Sequence, residues 1–489
     1  MQTAHIIGGG LGGLSAAIHL QLAGKQAIIL EKNANIGGKC NRVEWQGHTF
    51  DTGPSLLTMP FVLEALFERA GRKLNDYLTI ERVSPACRYF FPDGTRFDAR
   101  GTIEGFREEI SRVFPGEEQG FDAFIAYCRK LWNVSGPLFL FNPLELFSLL
   151  KVNPLNAIAG LSALKPWTLN QAVKHYFKHP NLIQLFNRYA TYNGSDPFRT
   201  PATFNVIAYV EMEYGSWHCL GGMYALVEAL AQLAEEIGVE IRCNHEVAHL
   251  GFTQDGKRVA SSILQDGTEL KAEHIIVNAD AVAALAGPLF AAHPHAGTWK
   301  QRFAQREVSS SGFVELMAID KTFADLAVHN IFFCNDYPRE FKEIFSDPQA
   351  LTDPTLYLSR PCAMDPTQAP KGQESWFVLV NAPSLDRFNR WPADYGDLLK
   401  NMLIDRMTGL QDANILWRTS LPPTFLQTQY NAWHGSIYGL SSNRTQDAFF
   451  RVGNRSAIKG LAFAGGSAHP GGGIPLVLLS GKMAAEALS

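Results

Sequence analysis

Two glycine-rich stretches, almost the whole chain apart, hold the residues best suited to chemistry. Residues 6–13 read IIGGGLGG and residues 467–482 read SAHPGGGIPLVLLSGK. A glycine loop that enters a helix offers bare N–H groups and about half a positive charge to an anionic or polarised ligand. In the first stretch Gly8, Gly10 and Gly13 satisfy G-x-G-x-x-G, with Leu11 and Gly12 inside the motif. The first glycine permits a tight turn, the second a close approach to a pyrophosphate, and the third close helix–sheet packing. Glu31 follows at the spacing of an acid that accepts hydrogen bonds from a ribose diol, with Lys32 beside it. Gly37, Gly38 and Lys39 add a second glycine pair with a cation, read either as a phosphate contact or as a solvated surface charge. In the second stretch the candidates are Gly465, Gly466, Pro470, Gly471, Gly472, Gly473, Ile474 and Pro475.

The elements around these loops follow from apolar runs and breakers. A strand at His5–Ile7, a small-residue helix at Leu14–Leu22 and a strand at Ala27–Leu30 frame the first loop. Residues 245–281 carry D-G turns at Asp255–Gly256 and Asp266–Gly267, which predict a β-meander before the apolar strand HIIVNAD. GLAFAGG (460–466) is a further strand, and a helix runs from Ile474 to about Leu488 with proline in its first turn. A plain strand–turn–helix does not need three consecutive glycines. A helix N-terminus beside a ring that gains negative charge on reduction does, so the two loops together read as one FAD site.

The totals narrow the class. At 489 residues the chain predicts two or three domains, and 46% hydrophobic with 18% charged residues predicts a globular enzyme. A net charge of −4 offers no basic field for nucleic acid. Seven scattered cysteines without C-x-x-C argue against a disulfide framework or metal site and for a reducing compartment. The first residues lack a signal-peptide pattern, and no apolar run reaches the roughly 18 residues of a spanning helix.

Several further segments carry a resemblance. FDTGPSLLTMP (50–60), CRYFFPDGTRFD (87–98), LFNRYATYNGSDPF (185–198), GGMYALVEAL (221–230) and NAWHGSIYG (431–439), with AHPGGGIP, are similar to the bacterial carotenoid-desaturase family of FAD-dependent oxidoreductases. The likeness runs in order through LYLSRPCAMDPTQAPKG (356–372) and covers essentially the full length. It implies an α/β fold with a split Rossmann-like FAD-binding domain of the amine oxidase and glutathione reductase type. A mixed-sheet substrate domain and a helical membrane-associating region complete it. The expected boundaries are 1–80, 215–290 and 430–489 for the FAD domain, 81–105 and 291–429 for the substrate domain, and 106–214 for the helical region. By the same resemblance Val247 presents its backbone to the adenine, though by composition it is simply a strand residue.

The implied activity is desaturation of an acyclic carotenoid drawn from the membrane, by hydride transfer to the flavin, with a 3,4-desaturase as the nearest branch. The implied partners are an apolar polyene, a bilayer surface, and oxygen or a quinone as electron acceptor. The expected location is cytoplasmic and peripheral, on the inner face of the cell membrane. In 131–167, Pro137, Pro143, Pro154 and Pro166 predict short helices, and Lys151, Lys165 and Trp167 suit a lipid interface or, alternatively, the rim of a buried lid. His469, Arg188 and Tyr192, with Asn193, are the only catalytic candidates, and His469 and Arg188 read equally as structural residues. Competing readings are a terminal-methyl oxygenase, a carotenoid isomerase or saturase, a prenyl-binding escort protein, and a nicotinamide dehydrogenase. The last leaves the second loop without a role.

Overall fold

The computed structural model describes residues 2–143 and 165–488. Its amino-terminal unit is strand β1 (Thr3–Ile7), helix α1 (Leu11–Leu22) and strand β2 (Gln26–Leu30). Strands β3 (Glu240–Arg242), β4 (His274–Val277) and β5 (Leu461–Phe463) join them in an all-parallel sheet of order β5-β4-β1-β2-β3. The β1, β2 and β4 runs are buried on both faces, as their unbroken apolar sequences require of strands inside an α/β sandwich. Helix α1 starts three residues before the expected Leu14, at Leu11. Glycine disfavours helix, so Gly12 and Gly13 read as loop, but tertiary packing uses their bareness within the first turn.

Register explains how the two loops meet. Ile7 pairs with Val277, and Val277 pairs with Phe463, so the carboxyl ends of β1, β4 and β5 lie side by side. Gly8, Asn278 and Gly465 therefore leave the sheet at one edge. That is the edge where ligands bind in open parallel sheets. Helix α2 (Ile474–Glu486) then returns across α1. A Cβ at Gly481 would lie 2.3 Å from the Gly12 carbonyl oxygen and 2.8 Å from the Ala16 nitrogen, so only glycine lets the helices approach this closely. Ser15 Oγ adds a 2.7 Å bond to the Leu478 carbonyl.

Residues Val247–Phe252, Val259–Leu264 and Glu269–Lys271 form the expected antiparallel meander. A second sheet has seven strands, in the order Ile415–Leu421, Ser311–Ile319, Glu374–Ala382, Leu356–Ser359, His329–Phe332, Cys87–Phe90 and Arg96–Ala99. It is antiparallel except where His329–Phe332 runs parallel to Cys87–Phe90. Helices Ile103–Val113, Glu118–Ser135, Leu169–Tyr176, Pro180–Asn187 and Val206–Tyr214 pack through aromatic contacts such as Phe177 on Phe186, with centroids 4.6 Å apart.

In the proline-rich stretch, residues 144–164 lie outside the described residues, and with them Lys151 and Pro154. The helix Glu118–Ser135 runs 18 residues and gives way at Gly136–Pro137 to a π-helical turn, Gly136–Leu140. Lys165 is exposed, and Trp167 is half-buried against His175. Among the described residues no helix is long and apolar enough to cross a membrane.

Candidate functional site

A cavity of about 1060 Å³ opens where the carboxyl ends of β1, β4 and β5 converge. That volume suits a large cofactor together with part of a substrate, since ligand sites commonly span roughly 300–1,000 Å³. Gly8, Gly10, Leu11 and Gly12 line it from one side, and Gly465, Gly466, Gly472, Gly473 and Ile474 from another. Helices α1 and α2 both begin at its wall, at caps Gly10 and Gly473, and neither first turn contains an acid. Two positive helix ends and two bare backbones thus face one space, which fits an anionic dinucleotide carrying a reducible ring. At Gly8, φ is +99°, a conformation that side-chain-bearing residues rarely adopt.

Glu31, Lys32, Gly37, Gly38, Lys39 and Val247 also line the cavity. The Glu31 carboxylate accepts from Gly9 N at 2.7 Å and Asn33 N at 2.8 Å, tying the end of β2 to the first glycine loop. Each of its oxygens keeps a second lone pair for a ligand hydroxyl. Lys32 Nζ turns to the Thr428 carbonyl and Asn431 Oδ1, both at 3.1 Å. Lys39 is no solvated charge. Its ammonium donates to the Ile437 carbonyl at 2.6 Å and the Ser436 carbonyl at 3.3 Å, using two of three donors. Burial lowers its pKa, and Asp280 works in the other direction.

Other candidates stand away from the cavity. Gly13 packs behind the loop, where a Cβ would meet the Gly8 carbonyl oxygen at 2.2 Å, so its role is the helix–sheet contact. Pro470, Gly471 and Pro475 are buried and are not among the lining residues. Gly471 faces Arg451, with a built Cβ 3.9 Å from Nε. His469 is 2% exposed, bonds the Asn142 carbonyl through Nε2 at 3.0 Å and meets the edge of Phe139 at 4.7 Å. Burial lowers its pKa, which suits a neutral imidazole that orients the loop. Arg188 and Tyr192 sit in a separate polar cluster with Glu211.

Two residues that the sequence did not single out hold the loops in shape. Asn278 Nδ2 donates to the Gly8 carbonyl at 3.0 Å, and its Oδ1 lies 2.6 Å from where a Cβ on Gly12 would stand. Ser480 Oγ donates to the His469 carbonyl at 2.7 Å and accepts from Gly465 N at 3.1 Å. Their only signal was position, just after the HIIV strand and within the last helix. The second sheet supplies the remaining wall through Gly312, Val314, Phe377, Leu379 and Leu421, followed by Phe425 and Leu426. This wall is apolar and holds no titratable group.

Comparison with known proteins agrees with this geometry. Residues 11–489 match the family described as flavin containing amine oxidoreductase. The chain is 38% identical over 492 residues to the 4,4'-diapolycopene oxygenase of Methylomonas sp, covering 99% of this chain and 97% of that protein. It is 34% identical over 494 residues to the 1-hydroxycarotenoid 3,4-desaturase of Flavobacterium sp., covering 99% of each. Among solved structures, cyclohexylamine oxidase from Brevibacterium oxydans has the same fold, with a TM-score of 0.65 at 15% identity over 100% of this chain and 98% of that one.

Proposed function

The chain belongs to the flavin-containing amine oxidoreductases, in their bacterial carotenoid-desaturase branch, and is an FAD-dependent enzyme; from that premise we propose that it removes two hydrogens from the end region of an acyclic carotenoid. One observation carries the reading. A single cavity joins both glycine loops to the apolar wall of the second sheet, so a hydrocarbon can lie against the reducible ring. When bound, FAD supplies a two-electron acceptor that takes a hydride from a C–H bond.

The chain's own residues bind and align. Gly8, Gly10, Leu11 and Gly12 with the start of α1 would hold the diphosphate, Glu31 the ribose, and the Val247 backbone the adenine. Gly465, Gly466, Gly472 and Gly473 with the start of α2 would face the ring and favour the negative charge it gains. Val314, Phe377 and Leu379 would exclude water and set the polyene's reacting bond, so that most of the rate gain comes from orientation. A conjugated chain delocalises the positive charge left behind until the neighbouring carbon gives up the second hydrogen as a proton to solvent, which reduces the demand for a strong base. Oxygen or a quinone restores the oxidised cofactor, and the substrate is drawn from the inner face of the cell membrane.

Oxygenation of a terminal methyl group is the second reading, favoured by the greater identity to the Methylomonas oxygenase, 38% against 34% for the Flavobacterium desaturase. Expression in cells that accumulate acyclic carotenoids, followed by pigment mass analysis, separates the two. Loss of two hydrogens per reacted bond supports desaturation. A gain of oxygen supports the second reading, and unchanged pigments with bound FAD count against both.

A further inference from the structure

Tyr438 lines the cavity where the second glycine loop meets the second sheet, and the proposed mechanism gives it no task. Both edges of its ring lie against glycine. A Cβ on Gly472 would stand 2.3 Å from Tyr438 Cδ1, and one on Gly194 would stand 2.9 Å from Cδ2. Gly471 and Gly473 have φ of +134° and +102°, which is a backbone reason for glycine at those positions. Gly472 has no positive φ, so the tyrosine ring is what keeps the middle of the triplet bare. Gly194 closes the RYATYNG segment and brings that motif to the second loop through the same ring.

The backbone on either side is tied down as well. Tyr438 N donates to Ser309 Oγ at 3.1 Å, and the Tyr438 carbonyl accepts from Arg451 Nη1 at 2.8 Å. Ile437 N donates to the Ser310 carbonyl at 3.1 Å, and the Ile437 carbonyl accepts from Lys39 Nζ at 2.6 Å. A residue held at its backbone and at both ring edges keeps one free end, its hydroxyl. That hydroxyl has no hydrogen-bond partner among the described residues and is not one of the sealed polar atoms, so it faces the cavity that Tyr438 lines. Tyrosine hydroxyls in buried settings usually find a partner, so a free one at a ligand cavity points to an acceptor on the ligand. Burial pushes its pKa up to about 12, so the phenol stays protonated and can donate. A hydrocarbon offers no acceptor. A ring bearing nitrogen and oxygen atoms does, and it gains most from a donor when it turns negative on reduction.

Resting on the placement of the ring in the proposed function, we infer that the Tyr438 hydroxyl donates a hydrogen bond to the reducible ring of FAD and favours its reduced state. The test is the reduction potential of FAD bound to the full chain, read spectroscopically against a dye of known potential. The unsubstituted chain is compared with Tyr438→Phe and Gly472→Ala. Phenylalanine keeps the ring contacts and removes only the hydroxyl. It is expected to lower the preference for reduced over oxidised FAD about tenfold, a fall of about 30 mV for a two-electron couple. Gly472→Ala drives the tyrosine ring aside and is expected to lower the potential in the same direction. A variant that only loosens the fold weakens both redox states alike and leaves the potential where it was. A potential unmoved or raised by Tyr438→Phe overturns the inference, and one lowered by it but unmoved by Gly472→Ala overturns the glycine clamp. FAD retained with an unmoved potential overturns this inference alone, whereas a chain that takes up no FAD also overturns the proposed function.

Discussion

Asp51 shows how much a single buried group can contribute. Its carboxylate accepts from Met223 N at 2.9 Å and Tyr224 N at 3.2 Å, at the start of the helix Tyr224–Glu236. Burial nevertheless pushes its pKa from 3.8 up to about 6. A carboxyl raised in the folded state stabilises fully below its unfolded pKa and loses that contribution as pH rises through the folded value. Asp51→Asn abolishes this titration. Thermal melts from about pH 4 to about pH 7 should show the variant gaining on the unsubstituted chain by about 2–3 kcal/mol, and a constant difference would rule the effect out. At this scale the glycine fingerprint was legible because its spacing is local and each glycine answers a steric demand. Asn278 was not, because it acts on a loop 270 positions away, and Ser480 was not, because it resembles an ordinary helix residue although its loop partners lie only 11 and 15 positions before it. Lys39 was half legible. Its place at the cavity followed from the glycine pair before it, but its carbonyl partners Ser436 and Ile437 depend on the fold.

Among elements, the crossing of α1 and α2 is the contact on which the shared cavity depends. Gly481→Ala would put a methyl group 2.3 Å from the Gly12 carbonyl oxygen, a backbone atom that cannot swing aside. The helices must then separate beside the first turn of α1, which follows directly on the first loop. The expected result is a loss of about 1–3 kcal/mol in stability and release of FAD on gel filtration, where the unsubstituted chain retains it. Unchanged FAD retention would mean that the helix crossing does not set the cavity. Strands and helices here were readable from apolar runs ended by glycine. The one clear boundary error, at the start of α1, arose because helix propensity penalises the glycines that packing requires.

For the molecule as a whole, the order of the strands was not legible. Nothing in the β5 sequence says that it pairs with β4 rather than with an edge strand, and only register brings the two loops together. Long-range ties between regions were hidden as well. Glu307 accepts from Arg199 at 2.9 Å and from Arg387 at 2.8 Å, linking the helical region to the second sheet beside the segment that holds Asn443. Membrane association belongs to this scale too: the full chain should co-float with liposomes, and flotation no better than a soluble control would remove it. The central claim is that two distant glycine loops grip opposite ends of one FAD, with its ring turned to the apolar wall. An experimental structure of the FAD-loaded chain tests it most directly. The expected result is diphosphate against Gly10 and Gly12, and the ring between Gly466, Gly472 and Phe377. A ring lodged elsewhere, or a second loop that makes no contact with the cofactor, would contradict it.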